Sequence, residues 1–317
     1  MSPLFFIHVP KTAGTSFRKA AEHYFSKEKI CYDYGEKQPE TSPLIREFVY
    51  QKNDLFGLKS TLKQHNISML GGHVSARRFA PIVNQDRILT FVREPVSRLV
   101  SEFKHFKRHY NFQGELADFI KRPEFVNRQF RMLQGYPPHM LGFIGITEHY
   151  SESLKLFNHL YQVDLQDLSL NMAGKEKAPA HALDEALIRE IKKLNRQEID
   201  HYQKCCELFY QRINLLKDNL PFTHGQIGGY ENGKLFGWAF NNEVADEPID
   251  LSILVNNKPV ADALACERRA NLLQFNVPRD AFIGFSAKVG SLKAEDQVRV
   301  IVKNTGQELV NSPKFIA

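Results

Sequence analysis

The sequence predicts an α/β fold in which helices cover a parallel sheet, followed by a small all-β sandwich. In the first part of the chain, short apolar runs alternate with amphipathic segments, as in parallel sheets with helical crossovers. After Pro221 the segments are short and alternating, and Gly, Asn, Asp and Pro separate them. Apolar residues make up 43% of the 317 residues, enough for two cores. We therefore predict domains at residues 1–222 and 226–317.

The predicted elements of the first domain follow from these patterns. Residues 3–9 form an apolar run that ends at Pro10, and residues 15–25 place their apolar side chains on one helical stripe. Residues 67–70 and 87–92 are two further short apolar runs, which predict strands. Later elements are predicted as helices at 95–109, 123–133, 151–161, 183–194 and 197–219, with a strand at 143–147. Residues 168–182, rich in small and charged types, predict a mobile loop.

Charge and cysteine usage limit the class of protein. The net charge is +6, but residues 226–317 carry 10 basic and 11 acidic side chains, so the positive charge belongs to the first domain and favours anionic ligands. The four cysteines form no CxxC pair, which predicts reduced thiols. Because the N-terminus resembles no signal peptide and no segment has 18 consecutive apolar residues, we expect a cytoplasmic chain without a membrane span.

The segment PKTAGTS, residues 10–16, lies where the first strand gives way to a helix. A helix N-terminus offers free N–H groups and a positive dipole end, and Lys11 adds a full charge. Gly14 lets the backbone approach a ligand closely, and hydroxyl groups are supplied by Thr12, Thr15 and Ser16. The kinase-type pattern GxxxxGK[ST] is not matched. The segment predicts an anion-binding loop, with an ordinary capped strand–turn–helix as the alternative.

A second anion site is predicted from ILTFVREPVSRLVSEFKHF, residues 88–106. Arg93 stands at the carboxyl end of an apolar strand, where ligands of open α/β sheets bind, and an arginine there can hold a phosphate with two parallel bonds. Ser101 follows about two helical turns later. Two anion sites after two different strands suit a ligand with phosphates at both ends.

These segments resemble the sulfotransferases that use 3′-phosphoadenosine-5′-phosphosulfate (PAPS). FIHVPKTAGTSF is similar to their 5′-phosphosulfate loop and VREPVSRLVSEF to their 3′-phosphate segment. Together with GGHVSARRF, NRQFRML and IGITEHYSESL, these two segments are most similar in sequence to the carbohydrate branch typified by heparan sulfate 2-O-sulfotransferases. The resemblance covers roughly residues 4–215. The chain differs from that branch at Gly71, where a second histidine is often found.

The resemblance implies a P-loop-like α/β fold, metal-free chemistry and adenosine 3′,5′-bisphosphate as a product. It implies that Arg93 and Ser101 hold the 3′-phosphate and that His73 is the base, with Lys11 also catalytic. The 5′-phosphosulfate would be held by Lys11, Thr12, Ala13, Gly14, Thr15 and Ser16. A histidine that only caps a turn is the alternative for His73.

Other polar residues allow two interpretations each. Arg77 and Arg78 are candidates for binding an acidic acceptor, or are a solvated pair. Glu102 is a rival base or a salt-bridged residue, and His8 is expected to be a core histidine. Lys175 and Lys177 are candidates for closing over the nucleotide.

The aromatic residues of the second domain also leave two roles open. Tyr230, Phe236, Trp238 and Phe240 form either a sugar-stacking platform or, as the alternation of GWAF favours, a core.

The predicted function is transfer of the sulfuryl group of PAPS to a hydroxyl of a glycan or glycoconjugate. An anionic acceptor is among the candidates, no nucleic-acid partner is predicted, and the oligomeric state is left open. Two alternatives compete with this reading: a noncatalytic glycan-binding protein with a degenerate nucleotide domain, and a nucleotide-dependent kinase.

Overall fold

The computed structural model describes residues 2–168 and 184–315, which divide into two compact units, Met1–Phe209 and Tyr210–Ala317. Lys175, Lys177 and most of the predicted loop at 168–182 lie outside the described residues. The division between the units falls inside a long helix, whereas the sequence places the domain boundary at residues 222–226. That boundary stays a prediction.

The first unit contains a parallel sheet of five strands in the order β2-β3-β1-β4-β5. The strands pair in parallel throughout, as predicted from the strand–helix alternation. Their bounds are β1 Leu4–Ile7, β2 Ile30–Asp33, β3 Met69–Gly72, β4 Ile88–Val92 and β5 Phe143–Ile146. All of these strand residues are buried, which explains why the strands read as continuous apolar runs rather than as alternating patterns.

Nine α-helices are described along the chain, and most of them accompany this sheet. They are α1 Gly14–Phe25, α2 Pro43–Ile45, α3 Leu55–Gln64, α4 Pro95–His109, α5 Leu116–Phe119, α6 Arg128–Met132, α7 Tyr150–Tyr161, α8 Glu185–Leu194 and α9 Arg196–Lys217. A π-helical turn, Arg46–Gln51, continues α2. The chain passes from β1 to the β3 side and then returns to β4, so the sheet has its topological switch at β1. The carboxyl ends of strands at such a switch form the usual ligand crevice.

Two elements differ from the sequence-based expectation. The helix expected over 123–133 is only Arg128–Met132, because Asn127 has a positive φ of 51° and its N–H donates to Oδ1 of Asn195 at 2.7 Å. The strand β2 was not predicted. It is short and contains Asp33, whose fully buried carboxylate accepts hydrogen bonds from Tyr50 and Arg78.

The second unit contains two antiparallel four-stranded sheets, in the orders β10-β11-β7-β6 and β13-β12-β8-β9. The strands are β6 Thr223–Glu231, β7 Lys234–Asn241, β8 Ile249–Val255, β9 Lys258–Ala265, β10 Glu267–Arg268, β11 Phe282–Lys288, β12 Gln297–Val302 and β13 Lys314–Phe315. Buried side chains from both sheets, including Leu235, Leu251, Phe285 and Val300, form one apolar core. The predicted fold class, a parallel α/β sheet followed by a β-sandwich, is thus confirmed.

Trp238 and Phe240 are buried, although they are not among the residues of the apolar core between the two sheets. They are 5% and 0% exposed, and their rings stack on each other with centroids 5.7 Å apart. The Tyr230 hydroxyl donates to the carbonyl of Gly290 at 2.8 Å. Burial corresponds to the core alternative for Trp238 and Phe240, whereas Tyr230 and Phe236 are partly exposed.

Candidate active site

The PKTAGTS loop connects the end of β1 to the start of α1. Lys11 and Ala13 have positive φ angles of 68° and 62°, a conformation that side chains other than glycine seldom adopt. Left-handed residues at alternate positions turn successive backbone N–H groups towards one point, which makes an anion-binding concavity. Within the described residues, the N–H groups from Lys11 to Thr15 have no backbone acceptor. The loop is therefore shaped to hold an anion.

The predicted phosphosulfate residues do not all face the same way. Lys11, Ala13, Gly14 and Thr15 line a cleft of about 580 Å³ in the first unit. Thr12 is buried, and its hydroxyl donates to the carbonyl of Val9 at 2.9 Å, which fixes the loop from inside. Ser16 is not among the lining residues.

Lys11 carries the charge of this loop into the cleft. Partial burial lowers the pKa of Lys11, and the neighbouring positive charges of Arg93 and Arg108 lower it further, while Glu102 opposes them. An anion placed beside the lysine relieves this destabilisation of the charged form.

Arg93 follows β4 and reaches the loop from the other side. Its Nη1 donates to the carbonyl of Lys11 at 3.3 Å, and its backbone N–H and C=O are both hydrogen-bonded to the side-chain amide of Gln129. Its Nε is buried without a hydrogen-bond partner among the described residues, the nearest carboxylate being that of Glu148 at 3.9 Å. An unpartnered guanidinium nitrogen beside an anion loop fits a phosphate. Ser101, on α4, lines the same cleft.

His73 follows β3 and also lines the cleft. The backbone at Gly72 approaches β2 so closely that a Cβ there would lie 1.9 Å from the carbonyl oxygen of Asp33, so glycine is required to place His73. The imidazole is open to the cleft. Desolvation by the cleft walls, together with the positive charges of Arg128, Arg18 and His105, lowers the pKa of His73 to about 4. The ring is neutral at physiological pH and able to accept a proton.

His8 is buried, as predicted, yet it also lines the cleft beside His73. The two ring centroids are 4.5 Å apart, and Nδ1 of His8 lies 3.1 Å from the Tyr34 hydroxyl. A second imidazole therefore stands next to the predicted base, directly after β1 rather than at Gly71.

Glu102, the rival base, lines the cleft but is 1% exposed and held by two arginines. Its carboxylate accepts hydrogen bonds from Arg98 at 2.6 Å and from Arg128. Each of its carboxylate oxygens is thus occupied by a guanidinium group. Its geometry is that of the salt-bridged alternative.

The predicted acceptor-binding pair, Arg77 and Arg78, is not among the residues that line the cleft. Arg78 Nε donates to the buried carboxylate of Asp33 at 3.1 Å, and its guanidinium lies 4.9 Å from the centre of the Tyr50 ring. Arg77 is exposed and lies beside Gly135. The structure thus places Arg78 in an internal ion pair and leaves Arg77 on the surface.

Several cleft residues were not predicted from the sequence. They are Arg18, Tyr34, Gln38, Glu40, His105, Phe106, Tyr110 and Arg128. Arg18 lies one helical turn after Gly14, so the i, i+4 spacing could have identified it. Tyr34 follows the unpredicted strand β2, and no local signal marks it.

The cleft carries more positive than negative charge. Lys11, Arg18, Arg93 and Arg128 line it against Glu40 and Glu102, and Glu102 is already paired. A ligand with several negative charges suits such a site. In the described part of the chain, no cluster of three His, Cys, Asp or Glu side chains is arranged to hold a metal ion. Likewise, none of the described helices has the length and apolar character needed to cross a membrane.

Comparison with known proteins supports one family. Residues 2–136 match the model described as "Sulfotransferase family", and this range contains both anion segments and His73. No curated protein and no solved structure matched the chain. The family match supports a transferase that moves sulfuryl groups, and it covers about two thirds of the first unit, including all of the residues that line the cleft.

Proposed function

We propose that the chain is a PAPS-dependent sulfotransferase that acts on a hydroxyl group of a glycan or glycoconjugate. The observation that carries the proposal is the convergence of three features on one cleft: the anion loop at Lys11–Thr15, the second anion site at Arg93 and Ser101, and the neutral imidazole of His73. The family match at residues 2–136 supports the same reaction class.

The residues of the cleft fit a ligand with an anionic group at each end. The loop N–H groups and Lys11 would hold the 5′ end, and Arg93 with Ser101 would hold the 3′-phosphate. The unpartnered Nε of Arg93 and the left-handed loop backbone are the features that favour an anion over an empty polar pocket. When bound, PAPS supplies an activated sulfuryl group.

Each residue then has one task in the transfer. His73 accepts the proton of the acceptor hydroxyl as that oxygen bonds to sulfur. Lys11 and the N-terminus of α1 stabilise the negative charge that develops on the 5′-phosphate as the bridging bond breaks. Positioning of the two reactants between the loop and His73 contributes the remainder of the rate enhancement.

The acceptor is proposed to be a carbohydrate, as in the heparan sulfate 2-O branch that the motifs resemble. The surplus of arginine at the cleft is compatible with an acceptor that already carries negative charge. Arg128 and His105 are better placed for such an acceptor than Arg77 or Arg78, because only the first pair lines the cleft.

Transfer from radiolabelled PAPS to a panel of polysaccharides, lipid glycans and phenols tests the proposal. We expect label in a carbohydrate, and we expect adenosine 3′,5′-bisphosphate to raise the melting temperature without magnesium. Stabilisation by ATP–magnesium alone would indicate a kinase instead. Glycan binding without any transfer would indicate the noncatalytic alternative.

A further inference from the structure

His8 stands between the anion loop and the proposed base. Its backbone N–H donates to the carbonyl of Gly72 at 2.9 Å, which ties the end of β1 to the residue before His73. A Cβ on Gly14 would lie 2.2 Å from Nε2 of His8, so the ring occupies the space that glycine leaves at the start of α1. The imidazole thus touches the helix N-terminus on one side and the His73 ring on the other.

The contact with Tyr34 bears on which nitrogen of His8 carries the proton. Nδ1 of His8 lies 3.1 Å from the Tyr34 hydroxyl, and which of the two atoms donates depends on the tautomer of the imidazole. A phenol that donates to Nδ1 requires that nitrogen to be unprotonated, and the neutral ring then carries its hydrogen on Nε2. Burial keeps the ring neutral by lowering the pKa of His8 well below its ordinary value, and the positive charges of Arg18 and Lys11 act in the same direction.

In that tautomer Nε2 carries a hydrogen beside the start of α1, because a Cβ on Gly14 would lie 2.2 Å from this nitrogen. The 5′ end of the nucleotide is proposed to lie at the N-terminus of this helix, and the acceptor beside His73. The His8 ring contacts both of these positions.

We propose that Nε2–H of His8 donates a hydrogen bond to an oxygen of the sulfuryl group during transfer, an inference that rests on the proposed function. In this step a bond forms between the acceptor oxygen and sulfur. The bond between sulfur and the bridging oxygen breaks, its electron pair stays with the 5′-phosphate, and the acceptor proton goes to His73. His8 neither gains nor loses a proton, because it acts only as a fixed donor.

Replacement of His8 by Asn or by Gln tests the roles of its two ring nitrogens separately. Asn can place an amide oxygen near Nδ1 and accept from Tyr34, but it has no group at the position of Nε2. Gln reaches the position of Nε2 and can donate there. A fixed donor to a reacting oxygen is typically worth about 10²–10³ in kcat. We therefore expect His8→Asn to lose turnover by about that factor and His8→Gln to retain most of it.

The measurements are kcat, KM and affinity for adenosine 3′,5′-bisphosphate, together with melting temperature, on the full chain. Since the bisphosphate has no sulfuryl group, its affinity should change less than threefold in His8→Asn. His201→Asn is the matched control, because His201 is also 7% exposed but is not among the cleft residues, and it should retain wild-type kcat. Tyr34→Phe keeps the His8 ring but removes the hydroxyl that favours one of its tautomers. It should therefore lower kcat to an intermediate value, which can be measured even if His8→Asn folds poorly.

The possible results separate this inference from the proposed function. Wild-type kcat in a folded His8→Asn variant, or in Tyr34→Phe if His8→Asn does not fold, would overturn the role of His8 while leaving the transferase intact. Equal losses of kcat and bisphosphate affinity would assign His8 to the 5′-phosphate and would also overturn it. Absence of transfer and of bisphosphate binding in the wild-type chain would overturn the proposed function, and this inference with it.

Discussion

The imidazole of His73 is the proposed proton acceptor, and its replacement gives the most direct test at the scale of a single residue. His73→Ala and His73→Gln should each lower kcat by about 10²–10⁴, the usual contribution of a general base. Affinity for adenosine 3′,5′-bisphosphate, measured by calorimetry, should stay close to that of the wild type. Retained turnover in both variants would move proton acceptance to water.

The pH dependence of His73 follows from its environment. The sequence alone predicts that the rate rises through a pKa near 6–7, the ordinary range of an imidazole. In the structure the pKa of His73 is about 4, so the base is already neutral above that value. We expect kcat/KM, which reports on the free enzyme, to be level between about pH 6 and 8 and to fall only as pH drops towards 4. A bound anionic donor raises the pKa, so the kcat profile should fall at a higher pH than that of kcat/KM.

Arg93 is expected to contribute to nucleotide affinity rather than to proton transfer. Arg93→Ala should weaken binding of adenosine 3′,5′-bisphosphate by about 1.5–3 kcal/mol, the typical cost of a lost charge-assisted bond. Binding of inorganic sulfate should weaken much less. Arg131→Ala, which removes an arginine that is not among the cleft residues, is the control. Unchanged bisphosphate affinity in calorimetry would contradict the role of Arg93.

The sequence predicts which residues of this site follow the strand ends, but it does not predict the contacts of all the side chains. Lys11, Arg93 and His73 each follow an apolar run, and parallel strands bring such positions to one edge. The internal partners of Thr12 and Arg78 depend on contacts between distant segments, which no local spacing encodes.

At the scale of elements, a buried polar network joins α4, α6 and α9. Arg98 is completely buried, and it donates to Glu198 at 2.7 Å, to Glu102 at 2.6 Å and to the carbonyl of Phe125 at 3.1 Å. Glu198 also accepts from the backbone and side chain of Gln129, whose amide binds the backbone of Arg93. The network thus connects three helices to the strand end that carries the second anion site.

Removing one member should leave an uncompensated charge in this network. Glu198→Ala is expected to lower the free energy of unfolding by about 3–5 kcal/mol, because Arg98 stays buried without that partner. Glu185→Ala removes one carboxylate of an exposed ion pair with Arg189 and should cost less than about 1 kcal/mol. Urea denaturation of both variants measures the difference, and similar midpoints would show that the buried network adds little.

The elements themselves were predicted unevenly. Residues 95–109 were expected as a helix, and α4 has those bounds, since Pro95 starts it and Glu94 caps its first N–H groups. The strand β2 escaped prediction because its buried Asp33 interrupts the apolar pattern, and Asp33 forms its ion pair with Arg78, 45 residues away. An ion pair between residues so far apart in the sequence can be identified only from the three-dimensional structure.

At the scale of the whole molecule, the two-domain prediction leads to a truncation. Residues 1–222 should fold by themselves and bind adenosine 3′,5′-bisphosphate, because the fragment contains all of Met1–Phe209 and the whole of α9. We expect little change in activity on a small acceptor and lower activity on a polymeric one. Circular dichroism and calorimetry test the fragment. An insoluble fragment, or one that binds no bisphosphate, would mean that the β-sandwich is a structural support.

Stability should also fall on mild acidification. Burial lowers the pKa values of His139 and His201 to about 4, below the ordinary value of 6.5. The unfolded chain therefore binds more protons between pH 6.5 and 4, and the free energy of unfolding decreases as pH falls through that range. The loss at pH 5 should be about 2 kcal/mol for each of these buried histidines, since pH 5 lies 1.5 units below the ordinary pKa. His201→Asn should make the pH dependence shallower, and an unchanged slope in urea titrations would contradict this assignment.

The left-handed residues of the anion loop have a consequence for selectivity. Lys11 and Ala13 hold a backbone conformation that costs roughly 1–2 kcal/mol per residue, so the surrounding fold must hold the loop in place. A loop fixed in this way discriminates by shape, because its N–H groups cannot rearrange to follow a different outline. Tetrahedral oxyanions such as sulfate and phosphate match converging donors, whereas planar carboxylate and nitrate leave some of those donors unpaired. A planar anion of the same charge should therefore compete poorly for binding at this loop.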